Sequence, residues 1–241
     1  MAPATAPPTA CRIASLAARA CLLVALAALA GCGSDPVLDP AGMLQPNSAI
    51  VVTAAPYPPF IDGQLDDRAW QSAARVSGFI NQQGKPAGRT TIAYVSYDRI
   101  ALYVAFICDE PRIRNLVLLA RDRDGAVDQD DSVQVLVSPD LIGPQFKSFA
   151  VSCTNVQADA DETGPAWDAS WPSEATVGAW RYQVEMAIPL AVLGVYPSPG
   201  DTWRLLLVRN TWTEAAPEVA THVHIGGDLR AVDRYAKLLF R

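Results

Sequence analysis

Only two histidines, His222 and His224, occur in the sequence, and they stand two residues apart. On a strand they would share a face and supply half of a metal site, but no third histidine or suitably placed cysteine follows them. A Gly-x-Ser-x-Gly nucleophile elbow is absent, and so is a phosphate-cradling Walker loop. These absences remove the commonest nucleophilic and nucleotide-hydrolysing chemistries. Carboxylates are plentiful, with 25 acidic residues, and for that reason pairs of them do not by themselves indicate a glycosidase. Basic charge is also short. The formal net charge is -6 and the Lys and Arg residues are scattered, so the chain repels phosphate backbones and is not expected to bind nucleic acid.

Long hydrophobic runs are missing as well. The apolar run "ACLLVALAALAGC", Ala20 to Cys32, has 13 residues, short of the roughly 20 that a membrane-spanning helix needs. With Arg12 and Arg19 ahead of it, this run reads as the core of a signal peptide. Its end, "LAGC", resembles a bacterial lipobox. That resemblance implies that Cys32 is lipidated and becomes the first residue, its acyl chains tethering the protein by about 0.8 kcal/mol per buried CH₂. Gly33, rather than an aspartate, after the cysteine implies the outer membrane. We therefore read 1–31 as a lipoprotein signal peptide, 32–48 as a flexible tether rich in Pro, Gly, Asp and Ser, and 49–241 as the folded part. The expected location is the cell envelope, with membrane contact through the lipid anchor only. Of five cysteines, Cys108 and Cys153 remain in the folded part. Both lie in apolar strand-like runs and are expected as buried thiols, although an exported compartment also permits a bridge.

What is present is a core. Hydrophobic residues make up 50% of the chain, enough for one large domain. The folded part alternates between short strands and turns. "TTIAYVSY", the turn "DR" and "IALYVAFIC" predict a hairpin, and "DSVQVLVS" places Val133, Val135 and Val137 on one face. Eight or nine strands are expected in all. "DGQLDDRAWQSAA" predicts one short helix capped by Asp66 with Leu65 and Trp70 inward, and "AVLG" adds a turn of helix after Pro189. The expected fold class is all-β: a two-sheet antiparallel sandwich or jelly roll.

Five segments carry a family resemblance by their order: "IDGQLDDRAW" (Ile61 to Trp70), "LYVAFICDEP" (Leu102 to Pro111), "DDSVQVLVSPD" (Asp130 to Asp140), "WRYQVEMAIPLAVLG" (Trp180 to Gly194) and "GDTWRLLLVRN" (Gly200 to Asn210). In this order they resemble carbohydrate-binding module family 9, a DOMON-like β-sandwich, over nearly the whole folded part. The resemblance implies a protein that binds sugars without cleaving them, and a Trp70 that plugs one end of the sandwich. It also implies where to look for the sugar. The family holds it between two tryptophans and a glutamate. The position matching the first tryptophan is Asp128, the second has no counterpart around Asp228 to Arg234 beyond Tyr235, and the glutamate is Gln134, whose amide can still bond a hydroxyl.

The remaining aromatics then matter. Trp70, Trp180 and Trp203 lie where burial would explain them, and Trp171 is expected to pack inward. Trp167 and Trp212 lie in polar loops beside Asp168, Arg209 and Asn210, where an aromatic face and hydrogen-bonding groups suit a sugar ring. The candidate ligand-binding residues are therefore Trp212, Trp167, Arg209 and Gln134, with carbohydrate as the partner. The acidic run from Asp122 to Asp131 partly fits a calcium loop, although Ala120 occupies its first position and the flanks are not helical. Asp128, Asp130 and Asp131 are the candidate ligands for a structural calcium; pairing with Arg121 and Arg123 in a solvated turn is the other reading. Met186 with His222 or His224 offers the atoms for axial haem ligation, but core packing explains Met186 and no Cys-x-x-Cys-His attachment exists. The competing functional reading is an interaction lipoprotein that has lost sugar binding and docks an envelope protein partner.

Overall fold

The computed structural model describes residues 49–139, 141–213 and 217–241; the signal peptide, the tether and Cys32 lie outside them. The strands, in chain order, are β1 (Ala49–Val52), β2 (Ala74–Val76), β3 (Ile80–Asn81), β4 (Thr91–Tyr97), β5 (Ala101–Asp109), β6 (Ser132–Ser138) and β7 (Lys147–Ser152). They continue with β8 (Gln157–Asp161), β9 (Ser173–Val177), β10 (Arg181–Pro189), β11 (Thr202–Thr211), β12 (Glu218–Thr221) and β13 (Ala236–Phe240). The only α-helical turns among the described residues are α1 (Arg68–Gln71) and α2 (Leu190–Leu193).

Two sheets face each other. The larger runs β1-β13-β11-β6-β7-β8, with β12 and β3 continuing beside β11; the smaller runs β2-β4-β5-β10-β9. All pairings between these strands are antiparallel except β1 on β13, which run parallel from Ala49 opposite Lys237 to Val52 opposite Phe240. The fold is thus the expected all-β sandwich. Thirteen strands among the described residues replace the expected eight or nine because β2, β3, β8, β9 and β12 are short, and all but the two-residue β3 carry Ala, Ser, Asp or Glu. Such residues have weak strand preference alone, and the ladders of their neighbours recruit them.

Alternation sets the core. Val133, Val135 and Val137 of β6 meet Leu102, Val104 and Phe106 of β5 and Met186 and Ile188 of β10 in one buried cluster between the sheets. Cys108 and Cys153 belong to that cluster as free thiols, and burial pushes the Cys153 thiol up to about 12.

Trp70 does not plug an end of the sandwich. It forms a separate cluster with Ala101, Tyr103, Ala105 and Ala187, the residues that alternate with the core-facing ones on β5 and β10, so it covers the outer face of the smaller sheet. The reason is Glu185. This side chain is fully buried on that outer face and accepts hydrogen bonds from Trp70 Nε1 at 2.7 Å and from the backbone amides of Asp62 and Gly63. Gly63 sits at φ +82 with the Thr176 side chain 2.8 Å from where a Cβ would lie, so the turn requires glycine. The Asp66 cap is not used: Asp67 precedes the helix and its carboxylate takes the Phe60 amide instead. Trp180 departs from expectation too. It is 70% exposed, because it lies in the tip joining β9 to β10 rather than within a ladder.

Candidate functional site

The acidic run that precedes β6 is a self-bonded loop. Asp130 and Asp131 are both fully buried. The Asp130 carboxylate accepts the amides of Leu119 and Ala120. Asp131 accepts the Val117 amide at 2.8 Å and the Trp212 amide at 3.2 Å. Burial raises the Asp131 pKa, and those two amides and Arg209 oppose the shift. Farther out, Asp124 adopts a left-handed backbone (φ 61). Its amide donates to the Gln157 carbonyl and its carboxylate accepts the Asp159 amide, which latches the loop to β8. Val127 fills the underside against Ala120 and Ala150.

These contacts leave Asp128 over the outer face of the larger sheet. There the register brings small residues side by side: Gln134 of β6 lies opposite Ala150 of β7, which lies opposite Ala158 of β8, and Leu136 lies opposite Ser148 and then Ala160. A hollow of about 250 Å³ opens above them, lined also by Asp124, Gly125, Val127, Asp128, Asp159 and Pro165. Gln134 Nε2 donates to Ser148 Oγ at 2.7 Å on its floor. Gln134 is thus the one candidate binding residue that lines the hollow, and Asp128, the position matched to the family's first tryptophan, lines it too.

The other candidates fall elsewhere. Trp212 supports the rim: its indole Nε1 donates to the Asp128 carbonyl at 2.9 Å. Trp167 packs edge-on against Phe149 (5.7 Å between centroids) with the Lys147 ammonium 4.6 Å over its ring, on the core side of β7 rather than in the hollow. Arg209 does not reach solvent. It is 1% exposed and crosses between the sheets, donating to the carbonyls of Thr90 and Asp109. Its guanidinium stands 3.5 Å from the buried Glu110 carboxylate and over the Tyr182 ring. Being on β11, it follows the inward alternation of Leu205 and Leu207.

Asp128, Asp130 and Asp131 do not converge as a ligand set, because the last two point their carboxylates at backbone amides. Among the described residues the carboxylates that do come together, with ligand atoms within 4.8 Å, are Asp124, Asp159 and Asp168. Arg123 lies among these, donating to Asp159 at 2.6 Å and to Asp168 at 3.2 Å, with Asp124 at 3.7 Å. That cation already neutralises part of the charge a metal would meet. His222 and His224 do not share a strand face: β12 stops at Thr221, His222 is fully buried and His224 is exposed.

Sequence reasoning missed Ser148, Ala150, Ala158 and Ala160, and read Asp124 only as part of the acidic run. A signal existed in "KSFAVS" and "QADAD", where outward positions hold only Ser and Ala beside large or charged inward ones. A hollow on a sheet face needs such gaps in adjacent strands.

No protein-family model matches the sequence, and no curated protein matches it. Solved structures do. A carbohydrate binding module family 9 from Caldicellulosiruptor kristjanssonii in complex with cellotriose superposes with a TM-score of 0.61 at 16% identity, covering 80% of this chain and 93% of that one. The same kind of module from that organism in complex with glucose gives 0.60 at 15% identity over 79% and 95%. A Bacteroides uniformis structure described as a candidate carbohydrate-binding protein gives 0.64 at 12% identity over 80% and 98%. The chain therefore has a family 9-like sandwich fold.

Proposed function

We propose that the chain is a non-catalytic carbohydrate-binding lipoprotein. In this reading acyl chains on Cys32 hold it at the cell envelope, residues 33–48 act as a tether, and the sandwich captures glycan for separate enzymes to process. The observation that carries it is the hollow over Gln134, Ser148 and Asp128, a concave site with convergent polar groups on a fold shared with modules solved in complex with cellotriose and glucose. The carboxylates around it argue for recognition over hydrolysis. Asp159 is bonded to Arg123 and to the Ala169 amide, and Asp124 is held by the Asp159 amide, so both already serve as acceptors within the loop.

The test is a glycan array probed with the full chain and with Gln134→Ala, with and without calcium. Binding that is lost in the variant supports the reading. Silence across a broad array in both buffers overturns it. Lipidation is tested separately by mass spectrometry of the mature protein and of Cys32→Ser.

A further inference from the structure

Three polar groups at the hollow have unused capacity. The Asp128 carboxylate has no hydrogen-bond or ion-pair partner among the described residues, and neither has the Gln134 Oε1 oxygen. Ser148 is 4% exposed and accepts from Gln134, yet its own hydroxyl donates to no acceptor among the described residues. A buried hydroxyl with an unmet donor needs a partner, and this one lies on the floor of a hollow that no other part of the described chain fills.

The lining is as informative for what it omits. Among the described residues no aromatic side chain lines the hollow, and no lysine or arginine does. A neutral sugar held by ring stacking finds no flat platform on Ala150, Ala158 and Pro165. An anionic sugar would meet Asp128 unaided. Charge nearby is negative: three carboxylates, Asp124, Asp159 and Asp168, share the single Arg123 cation, and Asp128 stands apart from them unpaired.

From this geometry we infer that the hollow selects amino sugars: hexosamine units with a free, protonated amine next to a hydroxyl, as in deacetylated glucosamine polymers. This rests on the carbohydrate reading of the same site. The ammonium donates to Asp128 and to Gln134 Oε1, the adjacent hydroxyl oxygen accepts from Ser148, and the alanines contact the C–H edge of the ring. Charge-assisted hydrogen bonds take the place that stacking would hold.

The experiment is calorimetric titration of the full chain with three tetramers of equal linkage: glucosamine, N-acetylglucosamine and glucose. Glucosamine tetramer is expected to bind at least tenfold more tightly than the other two, with affinity that weakens as salt rises. Asp128→Asn, at an exposed position whose side chain makes no hydrogen bond or ion pair among the described residues, is expected to keep the fold by circular dichroism and lose about ten- to a hundredfold in affinity for the amine form alone. Equal binding of all three, or preference for the glucose or acetylated tetramer, overturns the inference and leaves the carbohydrate reading standing. Preference for glucosamine that Asp128→Asn does not change also overturns it. Absence of binding to every glycan here and on the array overturns both.

Discussion

Trp70 Nε1 donates to Glu185 Oε1 at 2.7 Å across 115 residues of sequence. The other oxygen of the same carboxylate takes two amides of the Asp62–Gly63 turn. Both oxygens act as acceptors, so Glu185→Gln places an NH₂ group against donors and is expected to cost about 1–3 kcal/mol. Trp70→Phe keeps the ring and removes one donor, and falls in the same range. Urea unfolding of both variants reads the effect; a Glu185→Gln protein as stable as the parent would contradict the assignment.

Removing Arg209 is expected to harm the fold and not the site. Arg209→Met leaves Glu110, fully buried, with one cation fewer, which costs about 3–5 kcal/mol. Arg209→Met combined with Glu110→Gln should recover part of that loss in a double-mutant cycle. Glycan affinity of any variant that remains folded should match the parent, since the guanidinium lies between the sheets.

The two loop tryptophans should separate cleanly. Trp167→Ala is expected to lose about 1–3 kcal/mol of stability through its contacts with Phe149 and Lys147, and no affinity. Trp212→Phe removes the bond to the Asp128 carbonyl. It should weaken glycan binding several-fold by loosening the rim, with little change in melting temperature. Paired calorimetry and thermal melts distinguish these patterns, and the reverse pattern would relocate the site.

Acid should find His222. Burial lowers its pKa to about 4 from an ordinary 6.5, while the Leu207 amide donates to Nδ1 at 3.0 Å and keeps that nitrogen unprotonated. The unfolded chain binds the proton first as pH falls. The stability associated with the neutral ring is therefore complete above 6.5 and is lost between there and about 4, by about 3 kcal/mol. Glu185 and Asp131, both raised by burial, act with the opposite sign, losing their contribution as pH rises. The clean measurement is the difference in pH slope between the parent and His222→Asn, which should flatten in this window.

The two-sheet fold was legible wherever strands were long and alternated, as in β4, β5, β6, β10 and β11, because period-two patterning directly states which face is buried. It was not legible for β8 or β12, whose small and acidic residues become strands only beside a partner. At the site, Gln134 came from the family resemblance, and the structure places it in the lining of the hollow. Arg209 was misread because a charged residue next to Asn210 and Trp212 looks like loop chemistry, whereas register turns it inward. The calcium trio failed as a ligand set for a related reason. Acidic spacing counts carboxylates but not the backbone amides that Asp130 and Asp131 satisfy.

The parallel pairing of β1 with β13 has a consequence for synthesis. Ala49 lies opposite Lys237, so the first strand of the sandwich finds its pairing partner only once β13 has been made. Until then β11 is paired on that side only by β12, along Val208 to Thr211, and its stretch from Thr202 to Leu205 lacks β13. Closure of so long a loop is slow, and the open edge invites pairing with other chains. A nascent protein of this design gains from being kept extended until β13 has been made.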